Sequence, residues 1–539
     1  MVSKTFPFVM FEGGECRCAV RPRPHQYLPP SGEPREALRR KGQFWTPSWV
    51  AEAMVHYVVS GGATTLFDPA VGEGAFIHAA RAVARALGRA LPVHGTELDS
   101  AVLRSARERG LDETDLAGVA LGDFLARVVG ASGPPEPALP AIVANPPYLR
   151  HHRLSAEVKA CLRAYGQRLI GTPLDGRAGY HVYFLLHALA RLSPSGRLAF
   201  IMPADTAEGV FAATLWKWIT RNFRLDAVVT FAPEATPFPG VDTNAVIFLI
   251  QRSPPSETFS WARCLTADPG ALTAWVRSDF SADSGAIEVR RRQVTEGLST
   301  GLSRTPQVGE GGGPVLDEYA QVLRGIATGD NEFFFLTSAQ VRDHGIPGRF
   351  LVRALGRTRD LLGGADVVDR ATLEALDAAG RPTYLFSPDG RPAGAFPQAV
   401  QVLLREGVRR GLPARPLIGM RRPWYKMETR VPPAFLFAYL GRRSARFVRN
   451  LAGVVPLTGF LCVQPREGVC VEALWGVLRD PRTVANLARV GKSYGGGALK
   501  VEPRALGRLP LPVAVLREAG LAAPGPTGSA AVGGLPPRV

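Results

Sequence analysis

An α/β fold is predicted for the first half of the chain, as a doubly wound, mainly parallel sheet, with a mixed α+β unit behind it. Three observations predict it. Between about Gln43 and Arg252, apolar runs of strand length alternate with Ala/Leu-rich stretches of helical length, the pattern of successive βαβ units. The chain has 539 residues, more than one ordinary core of ~100–200 residues holds. Past the string Gly309-Glu-Gly-Gly-Gly-Pro314 the alternation gives way to many short strands broken by Pro/Gly turns.

The elements follow in order. Residues 1–38 carry Arg21-Pro-Arg-Pro24 and Pro29-Pro-Ser-Gly32 and form an irregular N-terminal extension. The first folded unit is placed at 39–308. Its strands are expected at Thr64–Phe67, Val93–Thr96, Ala141–Val143, Leu198–Ile201, Ala227–Phe231 and Ala245–Ile250. Its helices are expected at Glu73–Leu87, Ser100–Glu108, Tyr180–Leu192 and Ala212–Asn222. Residues 253–308 are harder to assign and could complete the sheet edge. The second unit is placed at 309–515, and 516–539 is Gly/Pro/Ala-rich and expected to be a disordered tail.

Composition narrows the class. Hydrophobic residues make up 46% and charged residues 21%, which is globular rather than disordered or fibrous. No stretch approaches the ~18 apolar residues of a membrane span, and Met1–Phe11 lacks a signal-peptide core. Six cysteines are scattered, and Cys16-x-Cys18 has no second pair nearby, so neither a disulfide scaffold nor a zinc site is expected. A cytoplasmic protein with no membrane partner and no metal is expected. The formal charge is +17, from 57 Arg and seven Lys against 47 acidic residues. Residues 401–450 hold 12 basic and 2 acidic residues. That asymmetry fits a polyanion partner, because Arg and Lys displace counterions from a phosphate backbone; a solvated basic face is the plainer alternative.

The chemistry begins at Leu66-Phe-Asp-Pro-Ala-Val-Gly-Glu-Gly-Ala-Phe76, which leaves a strand and opens a helix. In an open α/β sheet, ligands bind at the carboxyl ends of strands beside a switch in strand order. Gly72 and Gly74 allow a tight turn at close approach, Pro69 and Ala70 complete the loop, and Asp68 places a carboxylate suited to a cationic amine. No P-loop Lys and Ser/Thr follow, so this is no phosphate cradle. Glu97 ends the next strand, 29 residues after Asp68, where an acidic side chain can accept both hydroxyls of a ribose. Asp123 can accept from an exocyclic amine and Phe124 can stack on a purine. Singly, each acidic residue is better explained as an exposed helix cap. Together they suit a nucleoside with an amino-acid tail, which is S-adenosyl-L-methionine.

Ala141-Ile-Val-Ala-Asn-Pro-Pro-Tyr148 closes a fourth strand. Pro146 and Pro147 fix φ and remove two amide donors, so the turn is stiff and its carbonyls are free to accept. Asn145 supplies a side-chain acceptor, and Tyr148 a stacking face. The exocyclic amine of adenine is a poor nucleophile, its lone pair being delocalised into the ring. Hydrogen bonds to the Asn145 oxygen and the Pro146 carbonyl favour a pyramidal nitrogen that can attack a sulfonium methyl in line. Positioning and electrostatics then carry the rate, with the base out of the duplex.

These strings resemble the gamma-class N6-adenine DNA methyltransferases of bacterial restriction–modification systems. The resemblance runs from Phe44-Trp-Thr-Pro47 through the strand tips to Asn145-Pro-Pro-Tyr148, Tyr180-His-Val-Tyr-Phe184, Gly196-Arg-Leu-Ala-Phe-Ile-Met-Pro203 and Phe238-Pro-Gly-Val-Asp-Thr-Asn244. It implies a Rossmann-like class I methyltransferase domain and a target-recognition domain. It also implies Thr46 over the methionine part of the cofactor, and Phe238 beside Tyr148 on the flipped adenine, with Phe231 as rival. Arg324-Gly-Ile-Ala-Thr-Gly-Asp-Asn331, Ser493–Pro503 and Leu509-Pro-Leu-Pro512 resemble parts of the recognition domain. Its DNA-binding candidates are Arg421, Arg422, Trp424 and Lys426, with Arg442, Arg443, Arg446 and Arg449 as a second cluster. Double-stranded DNA is the expected partner, with a cognate restriction endonuclease possible. The alternatives are an N-methyltransferase acting on RNA or a protein glutamine, and a non-catalytic DNA-binding subunit.

Overall fold

The computed structural model describes residues 44–126, 128–129, 136–239, 241, 244–306, 313–361, 365–438, 445–494 and 498–521. Two compact units divide the chain: one comprises residues to Gly240 and Ala245–Ser303, the other the remainder. The expected extension 1–38, most of the Gly309–Pro314 string, Arg442, Arg443 and the Gly495–Gly497 run lie outside the described residues.

Among the described residues, the first unit is built on nine strands: β1 (Leu66–Asp68), β2 (Val93–Glu97), β3 (Val119–Leu121), β4 (Leu139–Ala144), β5 (Leu192–Pro203), β6 (Arg224–Phe231), β7 (Ala245–Gln251), β8 (Thr258–Cys264) and β9 (Ile287–Gln293). They lie in the order β3-β2-β1-β4-β5-β7-β6-β8-β9. Strands β1 to β5 pair in parallel, whereas β7 runs antiparallel to both β5 and β6. The order turns back between β1 and β4, so the tips carrying Asp68 and Asn145 flank the switch point. The stretch 253–308 supplies β8 and β9, which extend the sheet, and the helices Pro269–Arg277 and Val294–Thr300.

Burial explains why these runs form strands. Leu198–Pro203 of β5 and Ala245–Ile250 of β7 are buried without interruption, as expected where helices cover both faces. The helix Tyr180–Arg191 packs Val182, Leu185, Leu186 and Leu189 with Leu215, Trp216 and Ile219 of the helix Ala212–Asn222 into one core with Phe200, Met202 and Phe248. The helix Ser48–Val59 buries Val50, Met54, Val55 and Tyr57 and packs on the helix Ala75–Leu87 and on β4 and β5. Each fully buried Leu, Ile or Phe contributes ~1.5–3 kcal/mol, which is what holds the strand tips in register.

The second unit holds a five-stranded sheet, β10 (Ala320–Arg324), β18 (Phe460–Pro465), β15 (Phe435–Ala438), β16 (Arg446–Asn450) and β13 (Val367–Val368) in that order. A second sheet has four strands, β11 (Phe335–Leu336), β14 (Tyr384–Phe386), β12 (Leu351–Leu355) and β17 (Val455–Pro456). Leu511 N–H donates to the Pro314 carbonyl and Leu316 N–H to the Leu509 carbonyl, both near 3.0 Å. The Leu509–Pro512 string therefore closes the unit against its own beginning. The expected tail boundary at 515/516 is corrected: it cuts the helix Val513–Glu518, whose Val515 and Leu516 are buried in the core with Leu506 and Leu509. Residues 516–521 are part of the fold because an apolar helix face there has a core to cover.

Candidate active site

The loop after β1 is tied from several sides. Gly72 and Gly74 sit at φ +58° and +84°, left-handed conformations that favour glycine. A Cβ on Gly74 would also strike Leu111. Val71 N–H donates to the Thr96 carbonyl at 3.1 Å and the Thr96 hydroxyl to the Pro69 carbonyl at 2.8 Å. Pro69 is buried and Ala70 half-buried.

Asp68 is fully buried. Its Oδ1 accepts from Ala70 N–H at 3.0 Å, while Oδ2 is buried without a hydrogen bond. Burial pushes its carboxyl pKa up to about 8; the Ala70 N–H opposes the shift and the Glu97 charge adds to it. A buried carboxylate oxygen lacking a donor costs free energy until one arrives. Glu97, also buried, accepts from Gly72 N–H at 2.8 Å and Asp99 N–H at 2.9 Å, one bond on each oxygen. It braces the glycine loop, and each oxygen keeps a second lone pair. Asp123 accepts from Leu125 N–H at 2.9 Å and from the Tyr180 hydroxyl at 3.1 and 2.9 Å. Phe124 differs from its expected place as a free stacking face. Its ring is buried against Phe67, Phe184 and His187, with the Arg191 guanidinium 5.5 Å from its centroid. The apolar core beneath the sheet claims it.

At β4 the geometry fixes one atom's identity. The Asn145 amide lies 2.8 Å from the Phe44 carbonyl and 3.0 Å from the Thr46 hydroxyl. A carbonyl only accepts, so the amide nitrogen must face it. Both amide hydrogens are committed to the Phe44–Thr46 segment, and the Asn145 oxygen is left to accept. Thr46 is buried at this contact. Pro146 is buried and Pro147 half-buried, and the Pro147 carbonyl accepts from Leu149 N–H at 2.9 Å. The Tyr148 hydroxyl donates to the Ile201 carbonyl at 3.0 Å, and burial holds its pKa well above the ordinary value. Phe44 lies between Tyr148 (5.7 Å) and Phe238 (5.9 Å). The rival Phe231 instead packs edge-on against Trp49 at 5.8 Å.

Comparison with known proteins places this arrangement. Residues 34–258 match the family model described as N-6 DNA Methylase, and residues 310–523 match that of the Type II methyltransferase M.Eco57I, C-terminal domain. These two matches identify an N6-adenine DNA methyltransferase of restriction–modification type. The chain is 21% identical to the Type II methyltransferase M.AccI of Acinetobacter calcoaceticus, over 88% of this chain and 85% of that one. It is 25% identical to M.XamI of Xanthomonas campestris pv. amaranthicola, over 88% and 85%. Among solved structures, the Type IIL restriction-modification enzyme MmeI in complex with DNA aligns with a TM-score of 0.51 at 12% identity, over 88% of this chain and 64% of that one. The chain thus spans less than two thirds of MmeI. At 12% identity the likeness to MmeI is one of fold alone.

In the second unit of this methyltransferase, the basic cluster is used unevenly. Arg421 is half-buried; its Nη2 donates to the carbonyls of Ala327 (2.6 Å) and Thr328 (2.8 Å), and it lies over the Phe334 ring. Trp424 packs on Phe333, Phe334 and Tyr425. Both were DNA-binding candidates, and both serve the fold instead: Arg421 gives donors to the Arg324–Asn331 loop and Trp424 fills the aromatic core. Arg422 and Lys426 are exposed. Arg449 lies over Phe435 and pairs with Glu472, and Arg446 lies 3.8 Å from Asp366. Tyr180, Phe44 and His181 also join the site, without a separate role being evident from the sequence around them. Their partners lie far away in the chain, and no local spacing announces them.

Proposed function

We propose that this methyltransferase moves a methyl group from S-adenosyl-L-methionine to N6 of an adenine that has left the duplex. The observation that carries the reading is the Asn145 amide, pinned by both hydrogens so that its oxygen is free to accept at the switch point. Asn145 Oδ1 and the Pro146 carbonyl would accept from the target amine and localise its lone pair. Tyr148, Phe44 and Phe238 would support the base, with the Tyr148 ring fixed through Ile201. When bound, the cofactor supplies an electrophilic methyl on a sulfonium. Asp68 would receive its ammonium on the unpaired Oδ2, Glu97 the ribose hydroxyls and Asp123 the adenine amine. Thr46 would pack near the methionine part, and Gly72 and Gly74 would allow close approach. Arg422 and Lys426, with Arg442 and Arg443, would contact DNA phosphates, which position the duplex rather than read it.

A protein that methylates chromosomal DNA would work in the cytoplasm, with a cognate restriction endonuclease as a possible functional partner. Among the described residues, no helix is long and apolar enough to cross a membrane. The test is expression in a host lacking DNA methylation, followed by modification-resolved sequencing. N6-methyladenine in one sequence context is expected; modified cytosine, or none, would overturn the reading.

A further inference from the structure

The helix Tyr180–Arg191 begins against two parts of the site at once. Its first residue, Tyr180, donates its hydroxyl to both oxygens of Asp123. The Tyr180 backbone N–H donates to the Leu149 carbonyl at 2.9 Å, and Leu149 N–H to the Pro147 carbonyl. One residue therefore touches the third acidic strand tip and the turn that carries Asn145. The next residue, His181, sets its ring edge-on to Tyr148, with centroids 6.0 Å apart. Gly179 leaves no slack at the helix entrance, since a Cβ there would strike the His181 ring and the Leu149 carbonyl.

His181 is not held by hydrogen bonds. Both ring nitrogens are buried without a partner. Asp205 Oδ1 stands 3.9 Å from Nε2, beyond hydrogen-bond length. Burial keeps the imidazole pKa below its ordinary value, so the ring is neutral at pH 7. Unpaired buried nitrogens oppose folding; what His181 contributes is its shape, packed beside Tyr148.

We propose that Tyr180 and His181 are positioning residues that couple the cofactor site to the base site. The inference rests on the function proposed above. A ligand seated at Asp123 draws on Tyr180, which fixes the Pro147–Leu149 turn, while His181 fixes the Tyr148 ring. A base held against that ring tightens the cofactor site in return, because coupling between two binding sites is reciprocal. The element shared by both sites is the first turn of one helix.

The test is a coupling measurement on the full-length protein. S-adenosylhomocysteine is titrated calorimetrically into the protein alone, and into protein saturated with a duplex carrying its own methylation sequence. Wild type is expected to bind it about 10-fold tighter with DNA present, within the usual range of such couplings. Tyr180→Phe keeps the ring and loses the hydroxyl, and it is expected to bring that ratio close to one. His181→Ala should do the same, and His181→Phe, which refills the space beside Tyr148, should restore the ratio. A merely structural role would lower the melting temperature or weaken both ligands and leave the ratio alone. A wild-type ratio of one, or an unchanged ratio in Tyr180→Phe, overturns the proposal. Wild type that forms no N6-methyladenine in the matched reaction with S-adenosylmethionine would overturn the proposed function instead, and the coupling with it.

Discussion

The strand tips of the first unit and the basic segment of the second both draw attention through polar side chains, yet the fold treats them in opposite ways. At the tips, Asp68, Glu97, Asp123 and Asn145 each keep an acceptor or lone pair beyond what the fold consumes. In the basic segment, Arg421 and Arg449 are drawn into carbonyls, rings and a carboxylate of their own unit. Charge density in a sequence therefore says less about a binding surface than the number of donors and acceptors left once the fold is satisfied. Motifs at the carboxyl ends of parallel strands are protected from that consumption, because backbone pairing stops there and side chains face a crevice.

The largest test of this contrast is Asn145→Ala. It should lower the methylation rate at least ~100-fold, the scale of losing one preorganised polar contact to a reacting group. Calorimetric binding of S-adenosylhomocysteine should be nearly unchanged. An active variant would mean that the free acceptor is not used.

Asp68 comes next. Its carboxyl, raised to about 8 in the folded state, keeps a proton that the unfolded chain has lost well below neutrality. Between those values the folded state binds more protons, so the group's contribution to stability falls as pH rises from about 4 to 8. Melting scans should show Asp68→Asn gaining on wild type across that window. The same variant should bind S-adenosylhomocysteine at least ~10-fold more weakly, as expected for loss of a charge-assisted hydrogen bond. Wild type at pH 7 should also release close to one proton per cofactor bound, read from titrations in buffers of different ionisation enthalpy. No proton release would show that Asp68 is not neutralised by an incoming cation.

The second region gives smaller effects that separate its cations. Arg421→Ala should destabilise the protein by ~1–3 kcal/mol, because it strips a donor from the Ala327 and Thr328 carbonyls. It should leave the salt dependence of DNA binding in place. Arg422→Glu with Lys426→Glu should instead spare the melting temperature and make the slope of log affinity against log salt shallower by about 1 per lost phosphate contact. If Arg421→Ala moved the slope and the double variant did not, the assignment of packing and surface roles would be reversed.

What could be read in advance follows the same division. The placement of Asp68, Glu97, Asp123 and Asn145–Tyr148 at or just past strand ends was legible because each lies in a short string whose strand and turn are contiguous. The alternation that framed them also placed β1, β2 and β4 to within a few residues. The edge strand β9 was not legible in detail, since Arg290–Arg292 breaks its apolar pattern and, of these three, only Arg292 turns inward, to pair with Glu296. The Tyr180–Asp123 bond spans 57 residues, and the Phe44–Phe238 contact spans most of the unit. Such pairs exist only once the sheet has assembled. Phe124 was assigned by its neighbour's chemistry, although its own apolar ring had a core to enter.

The most direct test is a structure of the full-length protein with a non-reactive cofactor analogue and a duplex carrying its methylation sequence. An adenine is expected outside the helix, its N6 within hydrogen-bonding distance of Asn145 Oδ1 and the Pro146 carbonyl, and its ring against Tyr148. An adenine still stacked in the duplex, or an Asn145 oxygen turned away from N6, would contradict it.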